Sequence, residues 1–147
     1  MKKIIITIMV IVVLLQFFRP KKNISAQTSN NAIEKHFNVP ENISSLLKTS
    51  CYDCHSNNTV YPWYSNVQPI AWWLNNHVVD GKRHLNFDEF NTYSTEKKKK
   101  KFGEIAETLD KKEMPLTSYT FIHSNATLTL QQQKELSGWA NTLTKKL

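Results

Sequence analysis

Cys51-Tyr52-Asp53-Cys54-His55 places two thiols three residues apart and an imidazole directly after the second. On a helical turn, residues at i and i+3 share a face, so both thiols can add to the two vinyl groups of one porphyrin. The next residue then brings its imidazole beneath the iron. Five residues thus supply two thioether bonds and one axial ligand, and the pattern reads as an attachment site for one haem c. With five histidines in 147 residues, chance puts one at that position about three times in a hundred, so His55 separates this reading from a bare C-x-x-C.

Two other chemistries use paired cysteines. A thioredoxin-like redox pair sits in a βαβ context, and the chain has no alternating β pattern to build one. A structural zinc site needs a second, closely spaced ligand pair, whereas His77 and His84 are seven residues apart.

The second axial position of the iron calls for a thioether or another imidazole. Met1 and Met9 lie in the N-terminal leader, so Met114 is the one methionine in the rest of the chain. It precedes Pro115 in a stiffened loop that can present its sulfur. His77 is the alternative sixth ligand, then His123; His84 is also available, and His36 is the least suited because it sits in the tether between the leader and the domain. Tyr61, Trp63, Tyr64, Trp72 and Trp73 cluster after the motif, either as walls of the porphyrin or as plain core. Lys82 and Arg83 serve either as propionate partners or as surface charges. No residue is assigned a catalytic role.

The elements that must position these groups are helical. Ile43, Leu46, Leu47, Cys51 and Cys54 recur at helical spacing after Pro40, predicting a helix that runs into the cysteine pair. Pro69 to Asp80 reads as a second helix, started by Pro69 and stopped by Gly81. Asn86 and Glu89 resemble a capping box for a short turn that carries Phe87 and Phe90. Thr95 to Lys111 places Phe102, Ile105, Ala106 and Leu109 on one face and the run Lys97 to Lys101 on the solvated one. Thr129 and Gln132 announce a last helix with Leu136, Trp139, Ala140 and Leu143 inside. The fold class is all-α, with four to five short helices after an N-terminal apolar helix. The absence of Gly-rich phosphate loops and β alternation excludes nucleotide-binding and Rossmann-type enzymes.

Lys2 and Lys3 precede an apolar run from Ile4 to Phe18, and Arg19-Pro20-Lys21-Lys22 ends it. Such a run makes a helix of about 22 Å against a hydrocarbon core of about 30 Å, between a signal peptide and an anchor. The only cleavage-like stretch, near Ser25-Ala26-Gln27, is separated from the run by basic residues, which favours an uncleaved anchor over residues 4–18. Haem attachment belongs to exported, oxidising compartments, so the anchor is oriented with its N-terminus inside and the domain on the periplasmic side of the inner membrane. Residues 1–22 are therefore signal or anchor, 23–38 a flexible tether rich in Asn, Ser, Thr and Gln, and 39–147 the haem-binding domain.

The charge balance removes another class. The chain has 19 Lys and Arg against 12 Asp and Glu. Five of the basic residues lie in the first 22, which leaves 14 against 12 beyond them. No large basic surface remains for nucleic acid.

The chain resembles a known family at Cys51-Tyr52-Asp53-Cys54-His55-Ser56-Asn57, Tyr61-Pro62-Trp63-Tyr64-Ser65, Pro69, Trp73, His77, Gly81, Leu85-Asn86-Phe87, Met114-Pro115, Tyr119, His123 and Trp139. The leader's Gln16-Phe17-Phe18-Arg19-Pro20 is similar as well. The family is the bacterial haem-binding domain proteins, small exported chains related in motif to monohaem c-type cytochromes. The resemblance implies covalent haem c, a cytochrome c-like bundle around one haem and a place in the cell envelope. It names a cofactor and no reaction. The Trp- and Tyr-rich insert after the motif departs from ordinary small cytochromes.

Three functions follow as expectations. The first is a one-electron carrier with His55 and Met114 on the iron, serving a redox partner in the envelope. The second is a gas or peroxide sensor or enzyme with an open sixth site and His77 or His123 as distal group. The third is a haem-bearing docking module that uses Lys97 to Lys101 as a basic patch. They rank as electron carrier, docking module, then enzyme.

Overall fold

Phe87, Phe90, Phe102, Leu47 and Leu136 are the largest apolar side chains withdrawn completely from solvent, together with Ile33. The helices are arranged to bury them. The computed structural model describes residues 1–147, which are helical with no strand. The helices are α1 (Lys2–Leu15), α2 (Ile33–His36), α3 (Glu41–Ser50), α4 (Tyr52–His55), α5 (Ile70–His84), α6 (Thr95–Asp110), α7 (Thr117–Ile122) and α8 (Leu130–Lys146). Short 3-10 turns occupy Trp63–Asn66, Phe87–Thr92 and Ser124–Ala126.

α6 and α8 form the principal pair. Phe102 meets Trp139 edge to face at 5.6 Å and Phe90 at 4.8 Å, so the faces read from helical spacing do meet. Ser94 caps α6 by accepting from the Lys97 amide, and Thr129 and Gln132 complete both halves of a capping box on α8. α6 ends in a Schellman closure: the Lys112 amide donates to Leu109 and the Glu113 amide to Thr108, with Lys112 at φ 57°. That reversal turns the chain toward Met114.

Five expectations need correction. Three short helices, α2, α4 and α7, were not marked by periodicity, because one turn is too short to show a period. The helix expected to run into the cysteines breaks at Cys51 (φ −128°, ψ −38°), which ends α3 and caps α4. Asn86 caps its turn through the Asp88 amide alone, because the Glu89 carboxylate is taken by Asn57 and Asn31.

The fourth concerns the tether over 23–38, which is packed. Ile33 is fully buried, and Phe37 meets Phe90 and Phe102 edge to face at 5.6 and 5.2 Å. Tyr52 of the motif donates to Glu34 of α2. Asn23 exchanges backbone hydrogen bonds with the Tyr61 hydroxyl and the Thr59 amide, and its side chain reaches Ser56 and Thr59. The folded unit therefore begins at Asn23 rather than at Val39.

The fifth is Gly81. It does not stop the second helix, which continues through it to His84. A Cβ on Gly81 would stand 2.6 Å from the Cys54 carbonyl oxygen and 3.1 Å from its carbonyl carbon. The glycine is there for close approach, letting α5 lie backbone to backbone against the cysteine turn.

No helix is long and apolar enough to cross a membrane. α1 takes up 14 residues, and the run unwinds before Phe17 and Phe18.

Gly81→Ala should lower stability by about 1–3 kcal/mol, since the new methyl meets backbone that cannot step aside. Gly103→Ala and Gly138→Ala, which meet nothing within 4 Å, should instead stabilise by about 1 kcal/mol through helix propensity. Urea denaturation of the three variants checks the contrast.

Candidate haem site

α3 delivers the chain to Cys51, and one turn closes the motif: the Cys54 and His55 amides both donate to the Cys51 carbonyl, at 3.2 and 3.0 Å. Both cysteines are free thiols and line a cavity of about 400 Å3. That volume falls within the usual range for small-molecule and cofactor sites. The wall is largely apolar, with Leu47, Phe87, Ile105, Leu109 and Leu136 among its residues.

His55 is held as an iron ligand needs to be held. Its Nδ1 lies 3.0 Å from the Leu85 carbonyl oxygen at the end of α5. A carbonyl can only accept, so Nδ1 carries the proton and Nε2 keeps its lone pair free. Burial lowers the pKa below its ordinary value, against the opposing pull of the Leu85 and Gly81 carbonyls. The ring is thus neutral and ready to coordinate.

The cysteines are equally specific in what they are suited for. Burial, with the neighbouring Cys54 second, pushes the Cys51 thiol up to about 12. Burial and then Asp53 push Cys54 up to about 11. Catalytic redox cysteines have depressed pKa values, so this pair lacks the character of a thioredoxin-like site. No group of three or more His, Cys, Asp or Glu side chains is placed to hold a metal ion, so the donors suit an iron already held by a porphyrin better than a bare zinc ion.

Met114 lines the same cavity, as do Pro115 and Leu116 after it. His77 and His84, on α5, also line it. The His77 Nδ1 is 2.9 Å from the Trp73 carbonyl, which leaves its Nε2 free. His123 lies off the cavity with both ring nitrogens engaged, Nε2 by the Tyr64 hydroxyl and Nδ1 by the Tyr119 carbonyl, each at 3.2 Å. His36 is far from any such role, bonded to the Asn30 carbonyl at 2.8 Å.

Tyr61, Trp63, Tyr64, Trp72 and Trp73 do not wall the cavity. α5 gives the cavity His77, Gly81 and His84, while Trp63 stands out in solvent on the turn before the helix. Lys82 and Arg83 are also absent from the wall: Lys82 donates to Asn23 at 2.5 Å and Arg83 pairs with Asp80 at 2.9 Å. The cation that does line it is Lys101, with its side chain only 13% exposed and 2.5 Å from Glu104. Lys97 lies over the Tyr93 ring and Lys98 donates to Asn91, while Lys97, Lys99 and Lys100 remain exposed, so the run is largely the solvated face its spacing suggests.

Sequence reading names several residues that hold this site without giving them a role. Asp53, between the cysteines, accepts from the Val60 amide at 3.0 Å and from the Tyr119 hydroxyl at 2.8 Å, tying the motif to the following loop and to α7. Burial, then that bond, raises the Tyr119 pKa. Asn57 donates its amide to Asp88 at 2.7 Å and accepts from Asn86 at 2.9 Å, anchoring the chain just beyond His55. Leu85 acts through its carbonyl, which side-chain pattern cannot reveal.

A family model described as "Haem-binding domain" matches residues 10–142. No curated protein and no solved structure matches the chain.

In the haem-free protein, both thiols should react with a disulfide reagent more slowly than free cysteine at pH 8. An ordinary thiol is partly ionised there, whereas groups raised to about 11 and 12 are almost wholly protonated. The rate should still be climbing above pH 10, and denaturant should abolish the difference. Stopped-flow thiol titration reads both effects.

Proposed function

The chain belongs to the haem-binding domain family, and from that premise we propose that it carries one haem c as a one-electron carrier in the bacterial envelope. The observation that carries this reading is the coincidence of three donor types on one cavity: the Cys51 and Cys54 thiols, the His55 imidazole with Nδ1 tied to Leu85, and the Met114 thioether. Bound haem supplies an iron that alternates between ferrous and ferric states. Cys51 and Cys54 would hold it by thioethers, and His55 would coordinate through Nε2. Leu85 fixes the ring and increases its basicity through the Nδ1 bond. Met114 would supply the other iron ligand, and a thioether in that role raises the potential relative to a second imidazole. The apolar wall would limit water at a bound haem, and Lys101 and His84 are lining side chains able to donate to its propionate carboxylates.

His77 is the competing sixth ligand, favoured by its place on the cavity with Nε2 free. The sensor or enzyme reading requires that position to open, with His77 as distal group. His123 loses standing in that role because both its nitrogens are engaged.

An uncleaved N-terminal segment and a periplasmic position complete the proposal. The bonds that join Gln16 to Gln68 support retention of the segment, since cleavage near Ala26 would remove them. They suit an anchor better than a disposable signal.

The oxidised and reduced optical spectra of the exported protein test the ligand set. The account expects the weak far-red methionine-to-iron band in the ferric protein, lost in Met114→Ala and kept in His77→Ala. Absence of the band together with ready carbon monoxide binding would overturn His/Met ligation and move the sensor reading ahead.

A further inference from the structure

α1 contains one polar residue after its opening lysines, Thr7, so it has no polar face with which to lie along a bilayer surface. With 14 residues it measures about 21 Å, less than the hydrocarbon thickness of about 30 Å. A helix this short, once inserted, draws its C-terminal end down to the headgroup level. Whatever is fastened to that end must come with it.

What is fastened there is the segment around Gln68. The Gln68 amide donates to Gln16 Oε1 at 2.9 Å, Gln16 Nε2 donates to the Gln68 carbonyl at 3.3 Å, and Gln68 Nε2 donates to the Phe18 carbonyl at 2.7 Å. Gln68 itself is only 3% exposed. The chain on either side of these bonds nevertheless presents large apolar groups to solvent: Phe17 is 79% exposed, Trp63 80%, Trp73 45%, and Val67 and Ile70 are similarly open. Exposed apolar groups gathered on two segments that hydrogen bonds hold together are what an interaction site presents. Exposed Arg19, Lys21 and Lys22 follow it directly.

We propose that the domain docks on the phospholipid surface through this face, with Trp63 and Trp73 at the headgroup level and Arg19, Lys21 and Lys22 on lipid phosphates. Amphipathic indole rings favour that depth, and basic residues at a bilayer surface gain from anionic headgroups. Continuity with the apolar helix and the flanking positive charge select a lipid surface over a second copy of the chain, whose own basic flank would meet the same charge. None of these residues lines the cavity, and the one contact with it is Trp73, which packs on His77 at 4.4 Å. The inference rests on the membrane placement proposed above and does not depend on whether Met114 or His77 ligates the iron.

The test uses the full haem-loaded chain in phosphatidylcholine and phosphatidylglycerol vesicles containing a phospholipid with a photoreactive group near its headgroup. Peptide mapping should find lipid adducts on α1 and also on the segments around Phe17 and over Trp63 to Trp73. The double substitution Trp63→Gln with Trp73→Gln, at exposed positions, should cut the adducts on residues 60–73 severalfold and leave those on α1. Adducts confined to α1 would overturn docking while preserving the anchor and would assign the aromatic face to a protein partner. Failure of the chain to float with the vesicles would overturn docking and anchor together.

Discussion

The structure depends on one close approach, that of α5 to the cysteine turn. Gly81 allows it, because any side chain there would strike the Cys54 carbonyl. The contact fixes how close α5 lies to the cysteine turn, and the end of α5 brings the Leu85 carbonyl to His55 Nδ1. A ligand imidazole must be presented in one tautomer and one orientation. Both follow here from a backbone carbonyl whose position is set by a glycine four residues earlier. The free Nε2 is thus a consequence of helix packing.

The remaining contacts brace that arrangement from other sides. Asp53 joins the motif to α7 through Tyr119, Asn57 joins it to the Phe87–Thr92 turn through Asp88, and Tyr52 joins it to α2 through Glu34. Tyr52 also stacks on Phe87 at 5.2 Å, which links the motif to the core itself. Every residue of the motif other than the two cysteines is thereby engaged. The cysteines, protonated by burial and bonded to no other side chain, are left free for attachment. Met114 arrives from elsewhere in the chain, delivered by the Schellman closure after α6.

The sequence makes legible what is local or strongly periodic. The spacing of Cys51, Cys54 and His55 brings them to one cavity, and the apolar stripes of α6 and α8 declare the helices that bury Phe102 and Leu136. Met114 stands out because no other methionine lies beyond the leader, and the structure places it on the cavity. What escapes has definite physical causes. Residues 23–38 look like a linker because they are polar, yet Asn23 and Asn31 spend that polarity on the fold, and Ile33 and Phe37 are too sparse to show a period. Gly81 reads as a helix stop because a glycine that ends a helix and one that admits a neighbouring backbone look alike in a sequence. Lys101 disappears into a run of five lysines, since only the tertiary fold turns that one toward the cavity. The tryptophans after the motif suggest a haem wall by proximity in sequence, but the turn at Trp63–Asn66 carries Trp63 outward.

The central claim is that Cys51 and Cys54 bind haem covalently, and acid-acetone extraction with intact-mass measurement tests it most directly. Protein expressed with competent haem-attachment machinery should keep its colour in the protein pellet and gain the mass of one haem. The Cys51→Ser and Cys54→Ser double variant should lose both. A colourless pellet with unmodified mass, from wild-type protein made under those conditions, would contradict the account.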